Sequence, residues 1–180
     1  MRTERMTFTP VHGSELRELC ELWRKPLVRQ FLFDGQILTD EEVAEVISSS
    51  EKDFATAGFG IWLLRSAESG PLIGTAGLRR LDGGPEIEVV YSLDPAYWGQ
   101  GFAGEAAFAV LEYGFGLGLP QVLAEVDEGN SGSVAVVERL GMRRIGTAQG
   151  VLGPMRHYAI ERAEWQARQV KAAMPRTRSK

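Results

Sequence analysis

Gly99, Gly101 and Gly104 stand close together in a 180-residue chain, and the chemistry such a cluster offers is the holding of an anion by backbone amides. They follow Glu86-Ile87-Glu88-Val89-Val90-Tyr91-Ser92-Leu93, a run of β-branched, aromatic and aliphatic side chains that reads as a strand and that Pro95, with no N–H for a ladder, must end. From Glu105 the spacing turns helical, with Phe108, Leu111 and Phe115 on one face and Glu105 and Glu112 on another. A loop of free N–H groups that feeds a helix start collects orphan donors and the positive end of the helix dipole at one place, so a phosphorylated ligand is expected there.

Gly99-Gln100-Gly101-Phe102-Ala103-Gly104 also spells the dinucleotide fingerprint G-x-G-x-x-G, and Asp127 lies 23 residues beyond Gly104. The context disagrees. Asp94 to Trp98 separate the strand from the first glycine, 85 residues precede the strand, and the 76 that follow Gly104 are too few for further βαβ units of about 30 residues each plus a substrate domain. Two histidines and one cysteine show no ligand spacing, so no metal is implied. Cys20 falls in an apolar stripe with no base beside it and reads as a structural thiol.

The elements that position this loop can be read along the chain. Met6 to Thr9 is a short strand closed by Pro10; Ser14 is expected to cap a helix bearing Leu16, Leu19, Cys20 and Trp23, which ends before Pro26. Val28 to Leu38 reads as a turn or short helical segment, and Thr39 with Glu42 three residues on opens a second helix with a capping box. Phe59 to Arg65, Pro71 to Leu78 and Glu86 to Leu93 form an antiparallel meander with turns at Ser66–Gly70 and Asp82–Pro85. After the helix from Glu105 to Phe115, Gln121 to Asp127 must lie parallel to Glu86–Leu93 through that helical crossover. Asn130 and Ser131 are cap candidates for a helix ending at Gly141, and Arg143–Gly146 and Met155–Glu161 are the last strands, joined by a loop over 147–154.

Composition sets the bounds. With 44% hydrophobic and 24% charged residues the chain is of ordinary globular type and one domain is expected. No apolar run approaches the ~20 residues of a membrane helix, and no signal segment is visible, which makes a cytoplasmic protein the expectation, without membrane or nucleic-acid partner. The net charge of −4 divides into +5 over residues 165–180 and −9 over the rest, an acidic body that suits a cationic substrate.

Several separated motifs then resemble one family, the GNAT superfamily of acyl-CoA N-acyltransferases. Its pyrophosphate loop, Q/R-x-x-G-x-G/A, is matched by Trp98-Gly99-Gln100-Gly101-Phe102-Ala103 except that Trp98 replaces the first polar residue. Glu105-Ala106, Thr3-Glu4-Arg5-Met6, Asn130-x-x-Ser133 with Glu138-Arg139-Leu140-Gly141-Met142, and Tyr158-Ala159-x-x-Arg162-x-x-Trp165 resemble the branch of ribosomal-protein N-terminal alanine acetyltransferases. The resemblance covers residues 3 to 166 and implies a single α/β acetyltransferase domain over 1–166 with a basic tail over 167–180. It implies a mixed, mostly antiparallel sheet whose central parallel strands splay apart, flanked by helices.

The same resemblance implies that acetyl-CoA binds with its pantetheine arm in the splay. Backbone groups of Tyr91, Ser92 and Leu93 would pair with the arm's amides, residues 98–104 would take the pyrophosphate, and Asn130 would contact the arm. Glu88 matches the family's acid on this strand and Glu86 shares its face, so either carboxylate could accept the amine proton. A backbone N–H near Val90 could polarise the thioester carbonyl. Val137 stands where many members carry a proton-donating Tyr, and Ser133 occupies the position assigned that role in the branch. His157 lies near the expected acceptor cleft, whose lining is also expected to include Phe31, Phe33 and Asp34. The implied function is acetyl transfer to a primary amine, either a protein N-terminus or a small molecule, by a monomer or homodimer. The rivals are an aminoglycoside-type small-molecule enzyme and a non-catalytic acyl-CoA sensor.

Overall fold

The computed structural model describes residues 1–66 and 70–173. In these, the strands β1 (Met6–Pro10), β2 (Ile61–Ser66), β3 (Leu72–Arg80), β4 (Ile87–Leu93), β5 (Gln121–Asp127), β6 (Arg143–Gly150) and β7 (Gly153–Glu161) form one sheet in the order β1-β2-β3-β4-β5-β7-β6. Every neighbouring pair is antiparallel except β4 and β5. A parallel pair needs a crossover, and the helix α4 (Phe102–Gly116) supplies it. The other helices are α1 (Leu16–Trp23), α2 (Pro26–Leu32), α3 (Asp40–Ala57), α5 (Ser131–Leu140) and α6 (Arg162–Ala173). No helix among the described residues is long and apolar enough to cross a membrane.

Period-two alternation in the strands splits the core into two layers. In β2, Ile61 and Leu63 pack with Leu19, Trp23, Val28, Val43 and Ile47 of α1–α3. Trp62 and Leu64 face the opposite layer, where Val110 and Leu111 of α4 and Val137 of α5 meet Val89, Tyr158 and Ile160. The strand bearing Glu88 is therefore covered by helices on both faces, with Val89 in one layer and Val90 against the other.

Local chemistry fixes most of the boundaries. Thr39 accepts from the Glu42 N–H at 3.2 Å while Glu42 accepts from the Thr39 N–H at 2.7 Å, the expected capping box of α3. Gly141 ends α5 with φ of 80°, a left-handed conformation that glycine adopts without strain. Four expectations need correction. Ser14 does not cap α1: residues 13–15 form a 3-10 turn, and it is Glu15 that accepts from the His12 N–H, at 2.9 Å. Helix α4 starts at Phe102 rather than Glu105, because Gly101 supplies the left-handed entry and its carbonyl accepts from the Glu105 N–H. The expected loop over 147–154 is largely strand, since β6 and β7 pair through Gly150 and Gly153 and leave Val151 and Leu152 as the turn. Glu86 precedes β4.

The expected tail from 167 is helical as far as Ala173, while Ala67–Ser69 of the expected Ser66–Gly70 turn and residues 174–180 lie outside the described residues. Trp165 anchors α6: its buried indole packs against the rings of Phe108 and Phe115 of α4, at centroid distances of 4.9 and 5.7 Å. Phe108 touches Trp165 on one side only and stays 38% exposed. Trp165→Ala is expected to lower the unfolding free energy by about 3–5 kcal/mol in denaturant titration. A loss below about 1 kcal/mol would mean that α6 does not dock.

Candidate functional site

Among the described residues the ladder between β4 and β5 comes down to one pair, Glu88 opposite Leu123. Beyond it, residues 89–93 and 124–127 have no ladder partner in each other, although each strand is fully paired on its far side, β4 with β3 and β5 with β7. Two parallel strands joined at one point and separating afterwards leave backbone polar groups facing a gap, and such groups require partners. The expected splay is present, with Glu88 at its vertex.

At the wide end of the gap the chain turns through Pro95–Tyr97 into the glycine loop and α4. Gly99 and Gly101 have φ of 73° and 83°, which other residues adopt only with strain. Space is open over the loop: a Cβ built on Gly99 or Gly104 would meet nothing within 4 Å. With Gly101 at the cap, no side chain satisfies the first N–H groups of α4, so Phe102, Ala103 and Gly104 offer donors from a helix turn instead of the loop that the spacing suggested. The residues fit a pyrophosphate in shape and charge.

Arg5, which no spacing singled out, organises this end. Its guanidinium donates to the Gln100 carbonyl at 2.9 Å and to the Glu105 carboxylate at 2.6 Å, and lies 4.2 Å from the Phe102 ring centroid. The pair neutralises the one acidic side chain in the first turn of α4. The loop's own side chains turn inward: the Gln100 amide donates to the Ala96 carbonyl at 3.0 Å, and the half-exposed Trp98 indole donates to the Leu93 carbonyl at 2.9 Å. One backbone acceptor expected for a ligand at Leu93 is thus already engaged.

The gap is lined unevenly. Glu88 is 3% exposed, and its Oε1 accepts from Arg79 Nε on β3 at 2.7 Å. Ser92 has a buried hydroxyl 2.8 Å from that of Thr75, which also takes the Trp23 indole N–H at 3.4 Å, so only its backbone can serve a ligand. Tyr91 reaches across: its hydroxyl donates to the Ser133 carbonyl at 3.3 Å, and burial pushes its pKa up to about 12. Asn130 caps α5, its side-chain carbonyl accepting from the Ser133 N–H at 3.1 Å. Val137, one turn on from Ser133, is wholly buried in the core. Ser133 therefore borders β4 at Tyr91, while Glu88 sits roughly 10 Å back along the strand. The structure brings both to the gap but not to each other.

A second set of polar groups lies on the same face of the sheet as Glu88, on β5 and β7. Glu125 and His157 are cross-strand partners, and Glu125 Oε1 lies 3.1 Å from His157 Nδ1. Burial raises the Glu125 pKa, with the nearby Glu88 and Asp82 carboxylates adding to the effect and His157 and Arg79 opposing it. Farther out, burial and then Asp34 raise the Asp127 pKa. Asp34 has the left-handed φ of 53°, Phe33 packs edge-on to Trp23, and Phe31 approaches Gly129, so the end of α2 overhangs the β5 end of the gap. The cavity beside Val90, lined by Trp23, Phe33, Thr75, Arg79 and Tyr91, is only about 20 Å³. The larger depression, about 420 Å³ among Leu16, Cys20, Arg24 and Asp40, lies on the outer side of α1 and α3, away from the gap. Neither Arg79 nor Glu125 was visible as a site residue in the sequence, because strand pairing alone sets their partners.

Residues 5–143 match the family model described as an acetyltransferase (GNAT) domain. The chain is 29% identical over 150 residues to the uncharacterized N-acetyltransferase p20 of Bacillus licheniformis, covering 80% of this chain and 82% of the relative. In fold it resembles a spermidine N-acetyltransferase of Vibrio cholerae in complex with CoA and spermine, with TM-score 0.75, 19% identity and coverage of 91% and 99% of the two chains. It resembles equally RimL, a ribosomal L7/L12 α-N-protein acetyltransferase in complex with coenzyme A, with TM-score 0.74, 17% identity and coverage of 88% and 95%. The fold does not single out the ribosomal branch.

The Arg5–Glu105 pair predicts a pH signature. Burial alone would raise the Glu105 pKa, but hydrogen bonds from Thr3 and Arg5 outweigh it and hold the carboxyl below its ordinary value. A carboxyl depressed in the folded chain adds stability that is present above the unfolded value of about 4.3 and is lost as pH falls through the lower folded value. Arg5→Ala is therefore expected to cost unfolding free energy at neutral pH, with a deficit that narrows below about pH 4. A deficit constant from about pH 7 to 3 would show that Arg5 does not hold Glu105.

Proposed function

The chain belongs to the GNAT acetyltransferase family, and from that premise we propose that it transfers an acetyl group from acetyl-CoA to a primary amine by direct attack in a ternary complex. The observation that carries this reading is the single ladder pair between β4 and β5, with an open, glycine-flanked helix start at the wide end of the gap. Acetyl-CoA supplies the acetyl thioester. The edge of β4 at Tyr91 and Ser92, with Leu93 contributing beside the carbonyl that Trp98 already engages, pairs with the amides of an extended arm, as a sheet edge pairs with an added strand. The amides at Gly99–Gly104 hold the diphosphate, and Arg5 fixes that loop while cancelling the charge of Glu105. Trp98, Gln100, Phe102 and Ala103 shape this cradle, and Asn130 holds the start of α5 beside the arm.

Two residues beyond the vertex, the Val90 N–H polarises the thioester carbonyl. Arg79 engages Oε1 of Glu88, leaving Oε2 to meet an incoming ammonium. Ser133, across from Tyr91, donates the proton that sulfur needs. The acceptor is a cationic amine: Glu88, Glu125, Asp127 and Asp34 line its approach, and the acidic balance of the chain draws such a molecule in. A spermidine enzyme and a protein N-terminal enzyme share this fold, so the acceptor is either a small amine or a peptide N-terminus.

A second reading, an acyl-CoA sensor without turnover, rests on Val137, a core residue where a proton-donating Tyr is usual. The two separate in one experiment. Acetyl-CoA with a panel of amines and N-terminal peptides is expected to yield free thiol, and Glu88→Gln and Ser133→Ala are each expected to slow release at least about tenfold. Coenzyme A at about 100 times its Kd is expected to add about 2.7 kcal/mol of stability in all three proteins. Stabilisation without thiol release on any acceptor favours the sensor, and unchanged rates in both variants remove these two residues from the mechanism.

A further inference from the structure

We propose that His157, oriented by Glu125, is the group that takes the proton from the acceptor amine. This rests on the acetyl-transfer reading above and assigns its proton acceptor. Three observations carry it. First, the carboxylate at the vertex is already engaged, with Oε1 of Glu88 bonded to Arg79 and the side chain 4% exposed. Second, Glu125 Oε1 lies 3.1 Å from His157 Nδ1, within ion-pair distance, so the carboxylate sits at the Nδ1 side of the ring and Nε2 is turned away from it. Third, Nε2 is buried with no hydrogen-bond partner among the described residues. A buried, unpaired acceptor is costly in a protein with no use for it.

The placement is consistent with this role. Glu88 stands opposite Leu123, Glu125 is the next residue of β5 on the same face, and His157 is its partner on β7. The ring therefore lies on the same face of the sheet as Glu88, on the strand beyond β5 from the edge of β4 that is free to pair with an extended arm. An amine held by Glu88 meets an imidazole on its other side. The pair also sits within the field of charges that β3 and β4 present: Glu88 and Asp82 act to raise the Glu125 pKa and Arg79 to lower it.

The balance is simple. The acceptor's ammonium gives one proton to His157 Nε2, and the freed nitrogen pair forms the N–C bond as the C–S bond breaks with its electrons on sulfur. The nitrogen's second proton then passes through the Ser133 hydroxyl to sulfur, which leaves as the thiol. Amide, free thiol and imidazolium result, and the imidazolium gives up its proton to water once the products leave. In this scheme Glu125 is a positioning residue, as the carboxylate partner of a catalytic imidazole commonly is.

The test uses the full chain, acetyl-CoA and the best acceptor of an amine panel. His157→Gln is expected to lower kcat about 10²–10⁴-fold with the thermal shift given by coenzyme A unchanged. Glu125→Gln is expected to lower kcat less and to displace the acid limb of the kcat/KM profile, since it removes the negative charge 3.1 Å from the ring. Free imidazole is expected to restore part of the rate in His157→Ala, which a purely structural histidine would not allow. If His157→Gln turns over within about twofold of wild type, or if Glu125→Gln leaves the pH profile in place where His157→Gln does not fold, the assignment is overturned while acetyl transfer stands. If wild type releases no thiol on any amine, the reading beneath it fails as well.

Discussion

The arrangement depends on two parallel strands that meet once. β4 and β5 are each fully laddered to a neighbour on the outside, and they share a single pair at Glu88 and Leu123 on the inside. A sheet interior with unpartnered backbone groups is unfavourable in an apolar setting, yet the two layers of core hold the strands in place. Val89 is locked against α4 and Val90 against the α1–α3 layer, while Val122, Ala124 and Val126 are locked against the α4–α5 layer. Packing thus fixes a separation that backbone hydrogen bonding would close. An extended ligand with alternating amides is the natural partner for such an opening.

The remaining features follow from where that gap ends. A strand leading into a crossover helix puts the helix start at the wide end, and left-handed glycines at 99 and 101 turn the chain without placing a side chain over the donors. Arg5 comes from the chain segment before β1 to pin this loop, so the N-terminal segment is tied to the site rather than to the sheet edge alone. At the narrow end Glu88, Arg79, Glu125 and His157 come from β4, β3, β5 and β7. Four strands converge there because the vertex is the one place where both halves of the sheet are close.

Much of this was legible in the sequence because it is local. The capping box at Thr39, the cap at Asn130, the left-handed end at Gly141 and the meander over β2–β4 each rest on residues a few positions apart. The glycine loop was legible for the same reason, although α4 begins three residues earlier than its amphipathic spacing suggests, since the first turn carries Phe102 and two small residues. Partners set by strand pairing were not legible. Arg5 and Glu105 are 100 residues apart and Glu125 and His157 are 32 apart. Alternation along β5 tells that Leu123, Glu125 and Asp127 share a face, but not what stands opposite. The two last strands were legible but not their extension to a tight turn at Val151 and Leu152, because β6 is exposed along nearly its whole length and so lacks the alternation that marks a half-buried strand.

The central claim, that the opening between β4 and β5 receives an extended ligand arm as a strand-like partner, is tested most directly by amide hydrogen exchange with and without coenzyme A. Slower exchange on binding, concentrated at residues 89–93, 124–127 and 99–104 while β1 and β6 stay as they were, is the predicted result. Binding that slows exchange at the glycine loop alone, and leaves the amides of both central strands unchanged, would contradict it.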